Sequence, residues 1–143
     1  MAGKSSTFDN QFLQLIFNAV AITGLATNAT SSPLTTLWVS LHTADPTATG
    51  NQSTSEATYT SYARVGVART SGGWVITGSS VSPVSNIVFP QATGGSSTIT
   101  NFSVGTAQTG TGQILYTGSV SPTITVTTGI TPQLTTLTSI TEA

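Results

Sequence analysis

The chain has 143 residues, which suits one domain with one hydrophobic core. Charged residues make up 5% of it, with three Lys or Arg, four Asp or Glu and a formal net charge of −1. Three cations cannot neutralise a track of phosphates, and no apolar run is long enough to span a bilayer. We therefore expect neither nucleic acid nor a membrane among the partners.

Hydroxyl side chains supply the polarity that charges usually supply. The sequence contains 30 Thr and 19 Ser. Threonine is β-branched and tolerates water, so it suits the exposed face of a strand. The chain contains no Cys, which excludes disulfides and thiolate metal sites.

The first part of the chain holds the one helical pattern. Residues 1–7 are predicted to form a flexible arm, and residues 8–24 a helix with Thr7 as its N-cap and Gly24 as its stop. Apolar residues recur on one face at a spacing of four. This stripe contains Phe8, Phe12, Ile16 and Val20, and it is widened by Leu13 and Phe17.

Two interpretations of this helix stay open. It lies across the β-domain of its own chain, or part of its wide apolar stripe is buried against another subunit. The second interpretation makes Phe8, Phe12, Ile16 and Val20 candidate interface residues.

The rest of the chain reads as short strands separated by turn signals. The predicted strands are 36–42, 62–69, 74–77, 86–89, 98–105, 113–119, 123–128 and 134–141. Turns are indicated by Ser71-Gly72-Gly73 and by Ser121-Pro122. About eight strands in a chain of this length predict an all-β, antiparallel sandwich or barrel, and the jelly roll is one eight-stranded form.

A long polar loop at 43–61 separates the first two strands. Arg64 follows it, and a buried Arg would need a carboxylate partner, for which Asp45 and Glu56 are the natural candidates. Alternatively, Arg64 lies on the surface beside an acidic residue of the loop, and the sequence favours neither interpretation. We take Asp45, Glu56 and Arg64, together with the arm and the loop, as candidate contacts with a partner.

No pattern in the chain indicates catalysis. His42 and Asp45 are three residues apart, but no Gly-x-Ser-x-Gly elbow accompanies them. Glycine pairs mark turns rather than a phosphate-binding loop, and one His with scattered acids does not predict a metal site. We expect no enzyme activity, no catalytic residues, no cofactor and no metal.

Aromatic residues allow two readings. Trp38 and Trp74 lie in strand-like runs, so both are predicted to belong to the core. In the alternative, a carbohydrate-binding module, these tryptophans or Tyr59 and Tyr62 would be platforms on which sugars stack.

Three segments resemble a group of small virion proteins of tailed double-stranded DNA bacteriophages. They are LWVSLHTADP at 37–46, YARVGVARTSGGW at 62–74 and NIVFPQATGGSSTITNFSVGT at 86–106. The matching positions are Leu37, Val39, Leu41, 43–46, Tyr59, 62–65, Val67, Arg69, 89–90, Phe102, Val104 and Gly105. The resemblance covers roughly residues 8–118 and contains no catalytic motif; residues 119–143 have no match in it.

Some members of this group are cement (decoration) proteins, such as those on the head of a Bordetella podovirus, and others are tail or fibre proteins. The resemblance implies a jelly-roll fold. Together with the length and the helical pattern, it leads us to predict a β-sandwich of jelly-roll type with one N-terminal α-helix, in a single domain at 8–143. It also implies a virion protein that forms homodimers on the outer surface of the capsid and binds the major capsid protein. A tail or fibre component, and the carbohydrate-binding module, are the alternatives.

Overall fold

The computed structural model describes residues 4–28 and 32–142. It is mostly β, with one α-helix and antiparallel sheets, which confirms the predicted fold class of an all-β sandwich protein. The chain divides into two compact units. Within the described residues, the first contains 4–28, 32–36, 67–86 and 135–142, and the second contains 37–66 and 87–134.

One helix and nine strands make up the regular structure of these residues. They are α1 Ser6–Asn18, β1 Thr36–His42, β2 Val65–Ala68, β3 Trp74–Thr77, β4 Ser80–Pro83, β5 Ile87–Val88, β6 Ser97–Gly105, β7 Ile114–Val126, β8 Gln133–Leu134 and β9 Ile140–Thr141. Over the same residues, no helix combines the length and the apolar character that crossing a membrane requires.

Helix α1 begins two residues earlier than predicted. Ser5 is its N-cap, and the Ser5 hydroxyl accepts a hydrogen bond from the backbone N–H of Phe8 at 3.3 Å. The predicted cap, Thr7, therefore lies inside the first turn. Of the predicted arm 1–7, residues 6 and 7 are helical, and residues 1–3 lie outside the described part of the chain.

The same helix ends six residues before the predicted stop. Ala19 takes a left-handed conformation with φ of 58°, and the N–H of Val20 bonds to the carbonyl of Gln14 at 3.1 Å. This closes the last turn, because a left-handed residue after a helix directs the chain away from its axis. Gly24, with φ of 76°, lies in the turn that follows.

The core of the first unit lies between α1 and a three-stranded sheet of order β3-β4-β9. Leu13 and Phe17 are completely buried. The Phe17 ring meets the Trp74 ring edge to face, with centroids 4.9 Å apart. Trp74 is 2% exposed, so its predicted place in the core is confirmed.

The second unit is organised around a sheet of order β2-β1-β6-β7, in which β2 is the strand where the chain passes into the first unit. Its apolar face is built from paired residues of β1 and β6, with Val39 opposite Val104 and Leu41 opposite Phe102. All four are at most 5% exposed. A separate two-stranded sheet pairs β5 with β8.

Several strand bounds differ from the predicted ones. Strand β7 continues through Ser121-Pro122, where the sequence predicted a turn. The pairing of β6 with β7 is irregular there, because Thr100 of β6 lies opposite four residues of β7, 120–123. The hairpin partner β4 was not predicted, and the predicted strand 134–141 is two short strands, β8 and β9. Trp38 is half-buried rather than in the core.

Candidate functional site

Strand β1 carries a buried polar face as well as an apolar one. Successive strand residues point to opposite faces, so Ser40 and His42 lie opposite to Val39 and Leu41. Both polar residues are completely buried. A buried polar group must be hydrogen-bonded, so their partners decide whether this face is stable.

The partners form a continuous chain of hydrogen bonds. His42 Nδ1 lies 2.8 Å from the carbonyl oxygen of Thr54, and His42 Nε2 lies 2.9 Å from Ser103 Oγ. The hydroxyls of Ser103 and Ser40 are 2.8 Å apart. Finally, Gln52 Nε2 donates to Ser40 Oγ at 3.4 Å.

The chemistry of the partners gives this chain a direction. A carbonyl oxygen only accepts, so His42 must carry its proton on Nδ1, and its Nε2 then accepts from the Ser103 hydroxyl. Ser103 in turn accepts from Ser40. Burial lowers the pKa of His42, which favours the neutral imidazole that this arrangement requires.

Gln52 extends the network to the loop at 106–112. Its Nε2 donates to the carbonyl of Trp38 at 3.0 Å, and its Oε1 accepts from the N–H of Ala107 at 3.0 Å. A Cβ at Gly105 or Gly112 would come within 2.2 Å of this amide. Glycine at both positions therefore makes room for Gln52.

Arg64 forms a second anchor for the same loop. Its Nε and Nη2 bond to Glu56 Oε1 at 2.6 Å and Oε2 at 2.8 Å, a bidentate ion pair. The guanidinium also donates to the carbonyls of Ala107 at 2.9 Å and Gly110 at 2.7 Å. The prediction that Arg64 pairs with a loop carboxylate is confirmed, with Glu56 as the partner.

Asp45, the other candidate partner, is elsewhere. It is exposed, and its carboxylate accepts the backbone N–H of Thr47 at 2.9 Å, which forms a local turn.

Two tyrosines complete this group. The Tyr62 hydroxyl donates to Glu56 Oε1 at 2.9 Å and accepts from the N–H of Leu41 at 3.0 Å. Burial raises its pKa, so it stays protonated at neutral pH. Tyr59 lies edge to face with Tyr62 and donates to the carbonyl of Pro90 at 3.0 Å, and burial raises the pKa of Tyr59 to about 12.

We call Arg64, Glu56, Tyr62 and the carbonyls of Ala107 and Gly110 the Arg64 cluster. A shallow groove of about 260 Å³ lies beside it, with Gln108 and Thr109 of the loop on its rim. The cluster joins the loop at 106–112 to Glu56 of the loop at 43–61 through Arg64, which directly precedes β2. These hydrogen bonds therefore hold two polar loops in position, at 43–61 and at 106–112.

The His42–Ser103 pair is not arranged for nucleophilic catalysis. Both side chains are completely buried, so a substrate cannot reach Ser103 Oγ. The third partner is the Thr54 carbonyl rather than a carboxylate. Within residues 4–28 and 32–142, no three His, Asp or Glu side chains are grouped to hold a metal ion.

The helix residues predicted as an interface lie in the first unit, and the Arg64 cluster lies in the second. Phe8, Phe12 and Ile16 are half-buried, and Val20 is 50% exposed, beyond the end of α1. Their burial against a partner stays a prediction.

Two of the four aromatic residues considered as sugar platforms are buried. Trp74 and Tyr59 are each 2% exposed, so neither offers a face for stacking.

Arg69 is a structural residue whose role the sequence analysis missed. It donates to the carbonyls of Leu15 and Ile16, both at 2.6 Å, and to Asn28 Oδ1 at 2.6 Å. The last four carbonyls of a helix have no partner within the helix, so Arg69 caps α1 and attaches the chain that follows it. Nothing in the local pattern around Arg69 points to a helix more than fifty residues away.

A model of the family described as podophage GP4 fiber I protein gp80 matches residues 3–139. The chain belongs to this family. This gp80-family protein is thus a bacteriophage structural protein, and its place is the virion, as the sequence resemblance implied. The Arg64 cluster and α1 both lie within the matched span. No curated protein matches the chain.

Proposed function

We propose that this gp80-family protein is a structural component of the phage tail fibre. The observation that carries the proposal is the family match, which covers residues 3–139 and bears the description of a fibre protein. The role is one of contact and assembly, and it uses no catalytic residue, cofactor or metal.

The structure suits a subunit that must keep its shape when a mechanical force acts on it. Two polar loops are attached to the sheet by Arg64 and Gln52, both at most 7% exposed, rather than by surface contacts. Buried, bidentate pairs lose little to salt, whereas exposed ion pairs are screened. A net charge of −1 likewise leaves contacts with neighbouring subunits to shape and hydrogen bonding.

A capsid cement protein is the second candidate. It rests on the resemblance of residues 37–46 and the segments that follow to a group of phage virion proteins, some of which are cement proteins. In that role the protein would form homodimers on the outside of the shell and bind the major capsid protein. The family description supports the fibre better, so we place the cement role second.

Locating the protein in the particle separates the two candidates. Purified virions would be labelled with gold-conjugated antibody against this chain, and its copy number measured against the major capsid protein by quantitative mass spectrometry. Label on the tail, with a few to some dozens of copies, is the expected result. Label spread over the head with hundreds of copies would replace the fibre by the cement role.

A further inference from the structure

Every hydrogen in the buried network around His42 points to one acceptor. The Nδ1–H of His42 donates to the carbonyl of Thr54, so Nε2 accepts from the Ser103 hydroxyl. Ser103 Oγ therefore accepts from Ser40, 2.8 Å away, and Ser40 Oγ accepts from Gln52 Nε2. The network is complete only while Nε2 of His42 is an acceptor.

A proton on His42 Nε2 upsets this balance, because it turns an acceptor into a donor. Nε2 then donates to Ser103 Oγ, and the Ser103 hydrogen turns to Ser40 Oγ. The Ser40 oxygen has two lone pairs and accepts from both Ser103 and Gln52, but its own hydrogen is left without an acceptor among these side chains. All four are completely buried, so the excess hydrogen needs a water molecule, and leaving it unpaired is costly.

The charged and titratable groups around His42 have partners of their own. Glu56 and Asp45 favour a proton on His42 and Arg64 opposes it, but burial is the largest influence and lowers the pKa of His42. Glu56 is bound bidentately to Arg64, and Asp45 is exposed in its local turn. The Tyr62 hydroxyl donates to Glu56, and burial raises the pKa of Tyr62. A proton added to His42 therefore has to be accommodated by the network itself.

The loop at 106–112 covers the Gln52 end of this network. Gln52 Oε1 accepts from the N–H of Ala107 at 3.0 Å, and the backbone N–H of Gln52 donates to the carbonyl of Gly112 at 2.9 Å. A Cβ added to Gly112 would lie 2.2 Å from Gln52 Oε1, so the loop lies directly on this amide. Opening the loop therefore gives water access to Gln52 and to Ser40 beside it, where the excess hydrogen arises.

We propose that the loop at 106–112 is a lid that a proton on His42 opens. Neutral His42 keeps the network complete and the lid closed, and protonated His42 releases the loop from Gln52 as water enters. Arg64 still holds two carbonyls of the loop, so the lid loosens and stays attached. Part of the rim of the groove beside Arg64 belongs to this loop, so the shape of the groove follows the pH. The lid does not depend on whether the protein belongs to a fibre or to the capsid.

The single His of the chain makes the lid testable by NMR. In one titration from about pH 7.5 to about pH 4.5, the ring signals of His42 report its protonation and the amide signal of Ala107 reports the lid. Both should change with the same midpoint, below pH 6.5. Across it, the protection of the Ala107 N–H from hydrogen exchange, corrected for the intrinsic rate at each pH, should fall at least about tenfold. The amides of β1 and β6 should keep their protection.

Ser40→Ala separates the lid from the histidine. The variant lacks the hydroxyl that joins Ser103 to Gln52, so His42 should still titrate while the Ala107 amide no longer follows it. Ser53→Ala is the matched control on the same loop, described next.

The Ser53 hydroxyl donates to the carbonyl of Gly110 at 2.8 Å and lies outside the network. Ser53→Ala should therefore keep the shared midpoint of His42 and Ala107. Coupling that survives in Ser40→Ala, or that Ser53→Ala abolishes, would overturn the relay through Ser40.

The wild-type titration decides the lid even if Ser40→Ala does not fold. An Ala107 amide that keeps its protection while His42 titrates would contradict the lid. So would a His42 ring that stays neutral over the whole range, since the proposed trigger would then be absent. Loss of the β1 and β6 signals at the midpoint of Ala107 would replace the lid by unfolding of the whole sheet.

Discussion

The Nε2 atom of His42 lies 2.9 Å from the Oγ atom of Ser103, and both side chains are completely buried. His42 accepts this hydrogen bond because its Nδ1 proton is committed to the carbonyl of Thr54. A protonated imidazole would present two donors and would reverse the Ser103–Ser40 hydroxyls. The network therefore fits one protonation state, and the single His of the chain makes that state measurable.

The stability of the fold should fall as the pH drops through the histidine range. Burial holds the pKa of His42 below 6.5. Between the pKa values of the folded and the unfolded state, the unfolded chain therefore binds a proton that the folded chain does not bind. The contribution of the neutral, buried His42 to the free energy of unfolding is fully present above pH 6.5. It is lost as the pH falls from there toward the pKa of His42 in the folded state. Urea denaturation between pH 7.5 and pH 5.5 measures the slope.

His42→Gln is the control for this pH dependence. It should lower the free energy of unfolding by about 1–3 kcal/mol at pH 7.5, since buried partners lose hydrogen bonds, and flatten the slope between pH 7.5 and pH 5.5. A variant that keeps the wild-type slope would show that His42 is not the group responsible for it.

Arg64→Met should lower the free energy of unfolding by about 3–5 kcal/mol, because it removes the cation paired with Glu56 and the donor to two loop carbonyls. Arg64→Lys should recover part of this loss, since an ammonium cannot match the bidentate geometry. Denaturant titration measures both.

Asp45→Asn is the control, because Asp45 bonds only within its local turn, and it should change stability by less than about 1 kcal/mol. A loss of stability as large as that of Arg64→Met would show that the assignment of Glu56 as the partner of Arg64 is wrong.

Arg69→Gln should loosen the end of α1. The guanidinium donates to the carbonyls of Leu15 and Ile16, and a hydrogen bond to a charged group contributes about 1.5–3 kcal/mol. Amide hydrogen exchange should become faster in the second half of α1 and unchanged in β6. Lys4→Gln removes another cation, whose side chain is 31% exposed, and should leave exchange at residues 15–18 unchanged.

Phe17→Ala should cost about 3–5 kcal/mol of stability, because it opens a cavity beneath the edge-to-face contact with Trp74. Phe12→Ala, at a half-buried position on the same helix, should cost clearly less. Denaturation of both variants gives the comparison. If Phe12→Ala were the more damaging and its effect rose with protein concentration, the apolar stripe of α1 would be an interface, as the sequence suggested.

Local pattern was sufficient wherever a residue's role depends on its near neighbours in the sequence. The amphipathic stripe predicted α1, an apolar-rich run predicted β1, and the Ser-Gly-Gly turn predicted β3 with its bounds. The need of a buried Arg for a carboxylate predicted the Arg64 pair. The composition, poor in charge and rich in Thr and Ser, indicated a β-protein.

Tertiary structure alone decided the rest. Asp45 and Glu56 were equivalent candidates in the sequence, and folding brings only Glu56 to Arg64. Arg69 finds its carbonyl partners on α1, and Ser40 finds Ser103 63 residues away. These partners are chosen by which backbone and polar groups would otherwise be buried unpaired, and that depends on how distant segments pack rather than on any local pattern.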